Sequence, residues 1–137
     1  MKPSALTFLG FPDEGLCELA STYLSAKVQA FKSPYTGRIS PPLTEQVIRG
    51  VRYRGFDLRR ELERVVVSFG PTLVVAPHPE DMHPDHCSTH IFLSEALDEA
   101  RLSGHDLRIF NTRHGLAALM PRSMHGVRRQ ASVPGAR

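Results

Sequence analysis

The chemistry of this sequence is concentrated in residues 77–90, which read PHPEDMHPDHCSTH. His78, His83, His86 and His90 share these fourteen residues with Glu80, Asp81 and Asp85, so more than half of the chain's seven histidines stand together. Imidazole transfers protons near neutral pH and is the commonest protein ligand for metals; a carboxylate beside it fixes its tautomer and raises its basicity. Solvated loops are rarely this rich in histidine. If Pro84 opens a helix, His86 lies in the first turn and His90 follows one turn later on the same face, so both rings look toward one point. His83 stands just before the helix, and Asp85 is in reach of a neighbouring imidazole.

Plainer roles compete at each position. His90 faces a mostly apolar stripe and reads as a core or supporting histidine. His78 and Glu80 suit a solvated loop, and Asp81 or Asp85 suits a helix N-terminus, where free amides favour a carboxylate. For Asp85 capping and imidazole tuning both stand.

The elements that position this loop follow from periodicity. Residues 6–11 (LTFLGF) read as a strand that stops at the Pro12-Asp13-Glu14-Gly15 turn, and a short helix is expected between Leu16 and about Ala30. Residues 31–43 carry Ser33-Pro34, Thr36-Gly37 and Ser40-Pro41-Pro42 and read as an exposed loop. Leu58, Leu62, Val65, Val66 and Phe69 form one stripe of an amphipathic helix that stops at Gly70-Pro71. Residues 72–76 (TLVVA) form an apolar, β-branched strand of the kind covered on both faces in a parallel sheet. A second helix runs from near Pro84 to Gly104 with Phe92, Leu93, Ala96, Leu97 and Ala100 inward, and residues 107–110 make a third strand. The expected fold is α/β, a partial Rossmann-like three-layer unit with a small, mostly parallel sheet. A sheet of three strands leaves a flank bare, and something else is expected to pack there. The histidine loop then falls at the carboxyl end of a parallel strand, where such folds bind ligands.

At 137 residues the chain has room for one domain, placed at residues 1–121, with a basic, disordered tail over 122–137 that carries Arg122, Arg128, Arg129 and Arg137 and no acid. Lys plus Arg is 17 against 14 acidic residues, a net charge of +3 that partly describes this tail. Basic residues interleaved with aromatics on a recognisable module are missing, which argues against nucleic-acid binding. No apolar run approaches the roughly 20 residues of a membrane span, and the N-terminal run is too short and broken for a signal peptide. Cys17 and Cys87 form no metal-type or redox-type pair, as expected of a reduced, cytoplasmic protein.

The segment from Leu73 to His90, with its Asp81-Met82-His83-Pro84-Asp85-His86 core, resembles the second signature motif of the PIG-L/LmbE-like deacetylases, zinc enzymes that remove N-acetyl groups from sugar derivatives. Phe8-Leu9-Gly10-Phe11-Pro12-Asp13-Glu14-Gly15-Leu16 is similar to their LGFPDGGL-type segment, with Glu14 where glycine is usual, and His114-Gly115 follows a strand as their His-Gly pair does. The resemblance implies Zn²⁺ as cofactor with His86 as a ligand, His83 as the acid that steadies the oxyanion and protonates the leaving amine, and Asp85 as the residue that orients His83. Asp13 would contact the sugar, and the substrate would be an N-acetylated sugar or glycoconjugate. The family's AHPDDE-type motif, which supplies two ligands and the general base, is absent here. The resemblance therefore implies the C-terminal part of such an enzyme, truncated, or a non-catalytic chain that needs a complementing N-terminal half or an oligomeric partner.

Overall fold

The computed structural model describes residues 6–104, 106 and 108–112, in the order α1 (Leu16–Ala20), α2 (Gly55–Phe69), β1 (Leu73–Pro77), α3 (Pro84–Leu102) and β2 (Arg108–Thr112). β1 and β2 pair in parallel, with Val74 opposite Ile109 and Val75 opposite Phe110. The chain is thus a small α/β unit with a parallel sheet. Leu107, His114-Gly115 and the basic segment 122–137 lie outside the described residues. No helix among the described residues is long and apolar enough to cross a membrane.

The long helices form for the reasons their spacing predicts. Gly70 closes α2 in the left-handed region at φ 60°, its amide donating to the Val66 carbonyl at 2.9 Å. At the other end of α2 glycine answers a packing demand, because a Cβ on Gly55 would lie 2.3 Å from the Leu19 carbonyl oxygen. That close approach lets the Gly55 and Phe56 amides, orphaned at the start of the helix, donate to the Tyr23 and Leu24 carbonyls at 2.9 and 2.7 Å. Leu19, Tyr53, Leu58 and Phe92 make one buried cluster, and Val66, Leu97 and Ala100 make a second beneath Val74 and Ile109.

Three expectations are corrected. Residues 6–11 carry no ladder bonds, so two strands and not three form the sheet among the described residues. Their alternation is real, since Leu9 and Phe11 pack on the core while Phe8 is exposed, but among the described residues no strand lies alongside to pair with them. α1 stops at Ala20, where the Ser21 hydroxyl donates back to the Cys17 carbonyl at 2.9 Å and competes with helix continuation. Finally, among the described residues β1 is covered on one face only. Val74 and Ala76 turn toward the helices, whereas Leu73 and Val75 are exposed, as are Phe110 and the end of the α2 stripe at Phe69.

Residues 21–54 contain no helix or strand, yet they are held down. The fully buried Glu61 carboxylate accepts from the Val47 and Ile48 amides at 3.0 and 2.9 Å, and Asp57 accepts from the Arg52 amide at 3.2 Å. Ser33 and Pro41 are buried within the stretch expected to be exposed.

Candidate active site

β1 ends at Pro77 and α3 begins at Pro84, so residues 78–83 form the loop at the carboxyl end of a parallel strand. The loop is tied by its own groups. The Asp81 amide donates to the His78 carbonyl at 3.0 Å, the Glu80 amide to His78 Nδ1 at 3.1 Å, and the His83 amide to Asp81 Oδ1 at 3.0 Å.

His83 caps α3, its Nδ1 accepting from the Asp85 amide at 3.2 Å. A ring nitrogen that accepts carries no proton, so the neutral ring holds its proton on Nε2 and is a donor there. His86 is the reverse. Its Nδ1 lies 3.1 Å from Asp81 Oδ2, and since a carboxylate only accepts, the neutral ring holds its proton on Nδ1 and keeps a lone pair on Nε2. The two rings lie 4.7 Å apart between centroids with their planes at 33°. One offers an N–H and its neighbour a lone pair.

The carboxylates have exchanged the tasks that spacing suggests. Asp85 is buried, and its carboxylate reaches across to another segment, Oδ2 accepting from the Glu14 amide at 2.6 Å and Oδ1 from the Leu16 amide at 3.0 Å. It caps the start of α1, and only its main-chain amide meets His83. The carboxylate that meets His86 is that of Asp81, a residue whose spacing also suits capping. Its one available signal was its place two residues before His83, the spacing of a side chain that turns back on the following main chain.

Asp13, His83, Asp85 and His86 line one cavity of about 530 Å³, with Leu58, Leu62 and Phe92 among its apolar lining. His90 does not line it, so the expectation that His86 and His90 face one point is not met. A catalytic zinc site takes about three protein ligands. The lone pair of His86, backed by Asp81, has the character of one such ligand, but no group of three or more His, Cys, Asp or Glu among the described residues is placed to hold an ion. These side chains alone do not complete a metal centre.

Glu14 explains why glycine suits its position, because its φ is 54°, in the left-handed region. Its carboxylate accepts a hydrogen bond from the Tyr35 hydroxyl. Glu14→Gly is expected to exceed Glu14→Ala in stability by about 1 kcal/mol in urea unfolding, since both lack the carboxylate and only alanine keeps the strain. The same hydrogen bond, followed by the charge of Glu14, raises the Tyr35 phenol above its usual value of 10.0. The contact needs a neutral phenol and an ionised carboxylate, so it persists through neutral pH and is lost as pH rises through the raised phenol pKa. Ultraviolet difference titration against Tyr35→Phe is expected to show this late ionisation, and Glu14→Gln to bring it down.

A search among curated proteins finds no match. The sequence profile of the PIG-L family, described as GlcNAc-PI de-N-acetylase, matches residues 1–97, which include the 9–13 segment, the histidine loop and the start of α3. With more than half of the 137 residues matched, the chain belongs to the PIG-L family, whose description implies a de-N-acetylase-type hydrolase acting on GlcNAc-type substrates.

Proposed function

We propose that this chain supplies the histidine-loop wall of a zinc-dependent site that hydrolyses the N-acetyl amide of a sugar or glycoconjugate. The observation that carries the reading is the pair of adjacent imidazoles, one accepting at Nδ1 from the Asp85 amide and the other facing the Asp81 carboxylate through Nδ1, lining one cavity with Asp13. Members of the family are generally metal-dependent. Zinc, when bound, supplies polarisation of the amide carbonyl and a hydroxide at neutral pH; His86 Nε2 would be one ligand, the others coming from outside the described residues.

The remaining steps belong to the chain's own groups. His83 Nε2–H donates to the carbonyl oxygen as negative charge develops there, an interaction stronger in the transition state than in the ground state. When the C–N bond breaks, the same proton goes to the leaving amine. The Asp85 amide occupies His83 Nδ1 and so keeps the proton on the face of the ring directed to substrate. Asp13 accepts hydroxyl hydrogen bonds from the sugar. Both cysteines are free thiols, which supports a cytoplasmic setting.

The exposed Leu73, Val75 and Phe110 favour a second reading, in which a complementing chain covers the bare sheet face and completes the site. Acetate release from N-acetylglucosamine conjugates by the zinc-loaded chain separates the two. The first reading expects release that a chelator abolishes and His83→Ala suppresses. Release only on co-expression with a complementing half supports the second, and no release under either condition overturns both.

A further inference from the structure

Of the polar side chains that line the histidine cavity, those of His83, Asp85, His86 and Thr89 each have a hydrogen-bond or ion-pair partner, but the Asp13 carboxylate has none among the described residues. Its aim is therefore set by its main chain, and so by whatever fixes residues 10–16. That segment is tied at three points. The Gly10 carbonyl accepts from the Tyr53 hydroxyl at 3.0 Å, and the Glu14 and Leu16 amides donate to the Asp85 carboxylate. The third tie is the hydrogen bond from the Tyr35 hydroxyl to the Glu14 carboxylate, made by the side chain next to Asp13.

Tyr35 can serve as an anchor because its own loop is closed. The Ser33 amide donates to the Arg38 carbonyl and the Gly37 amide to the Ser33 carbonyl, each at 2.9 Å, and Ser33 is buried. The Tyr53 amide donates to the Ile39 carbonyl at 2.9 Å, so the loop is fixed to the residue that also holds Gly10. Tyr35 itself is 65% exposed, which leaves its hydroxyl contact, more than packing, as its bond to the site. The contact also eases a charge conflict. Asp13 and Glu14 are adjacent carboxylates, both close enough to the phenol to act on it, and a neutral O–H donor on Glu14 offsets part of their mutual repulsion. Glycine at position 14 would take φ 54° without strain but would have no side chain to tie, so the residue that costs conformational energy here is also the one that makes the contact.

We infer that Tyr35 and Glu14 form a clamp that aims Asp13 at the substrate, so that Tyr35, which touches no reacting atom, is a positioning residue of the site. The inference rests on the reading of Asp13 as the carboxylate that accepts from the sugar in the histidine cavity. Without the clamp Asp13 still has its acceptor oxygens, but its segment must be ordered as the sugar binds, and that ordering lowers affinity. The bond-breaking step, carried by other groups, is left as it was.

Titration of the full chain with N-acetylglucosamine, followed by NMR, tests this. Tyr35→Phe keeps the ring and loses only the hydroxyl, and it is expected to weaken binding about five- to tenfold, the effect of one net hydrogen bond. In acetate release from an N-acetylglucosamine conjugate the same variant should raise KM by that factor and leave kcat within about twofold, the signature of lost binding and not of lost chemistry. Glu14→Ala is expected to match Tyr35→Phe, and Glu14→Gln, whose amide oxygen accepts the same hydrogen bond, to restore the affinity. Binding by Tyr35→Phe and Glu14→Ala as tight as that of the unaltered chain overturns the inference and leaves the histidine-cavity reading intact. A Glu14→Gln variant as weak as Glu14→Ala overturns it too, because the hydrogen bond is then not what aims Asp13. So does a fall in kcat with binding unchanged. If the unaltered chain does not bind N-acetylglucosamine, the reading of the histidine cavity fails and this inference with it.

Discussion

Asp85→Asn is expected to lower stability by about 2–4 kcal/mol in chemical denaturation, although it changes only one oxygen to an amide nitrogen. Both carboxylate oxygens accept from main-chain amides, those of Glu14 and Leu16. An asparagine has one acceptor oxygen, so its NH₂ must face one of these donors and leave it unsatisfied at a site where Asp85 is buried. The damage extends beyond stability. Release of the 14–16 turn frees Asp13 from the cavity wall, so KM for an N-acetylated sugar is expected to rise. His83 keeps its bond to the residue 85 amide, since that bond does not use the side chain. A variant of unchanged denaturation midpoint and KM would show that the contact positions nothing.

The second large effect is expected at His86. His86→Ala should remove zinc from the zinc-loaded chain, and with it acetate release, while leaving the unfolding transition unmoved, because the His86 side chain is 51% exposed. Asp81→Asn separates ligation from orientation. Its NH₂ would donate to His86 Nδ1, move the ring proton to Nε2 and mask the lone pair, so zinc affinity is expected to fall by roughly 10–100-fold, less than the loss in His86→Ala. Metal analysis and competition with a chelating dye read both. Zinc retained at full occupancy by His86→Ala removes His86 from the metal site.

How far the sequence speaks for itself depends on the distance over which each interaction acts. α2, β1 and α3 are legible because glycine, proline and periodic apolar residues act within a few positions. The strand expected over 6–11 fails for the opposite reason, since a strand exists only with a neighbour and alternation says nothing of whether one is present. The stripe of α2 overruns at Phe69, which keeps the period but has passed the edge of the packed layer. In the site, the histidines announce themselves by density. The partners of Asp85 lie 69 and 71 positions away, beyond any local pattern, so its capping of α1 was invisible and Asp81 was left without its imidazole.

That separation also bears on kinetics. Loops of this length close late relative to local helix formation, because their closure entropy is not offset until distant groups meet. α2 and α3 are therefore expected to gain protection early in refolding, and the Glu14 and Leu16 amides afterwards, with Asp85 as the point of arrest. Pulsed hydrogen exchange would resolve that order, and a chain caught between the two stages would be largely helical and chemically inert.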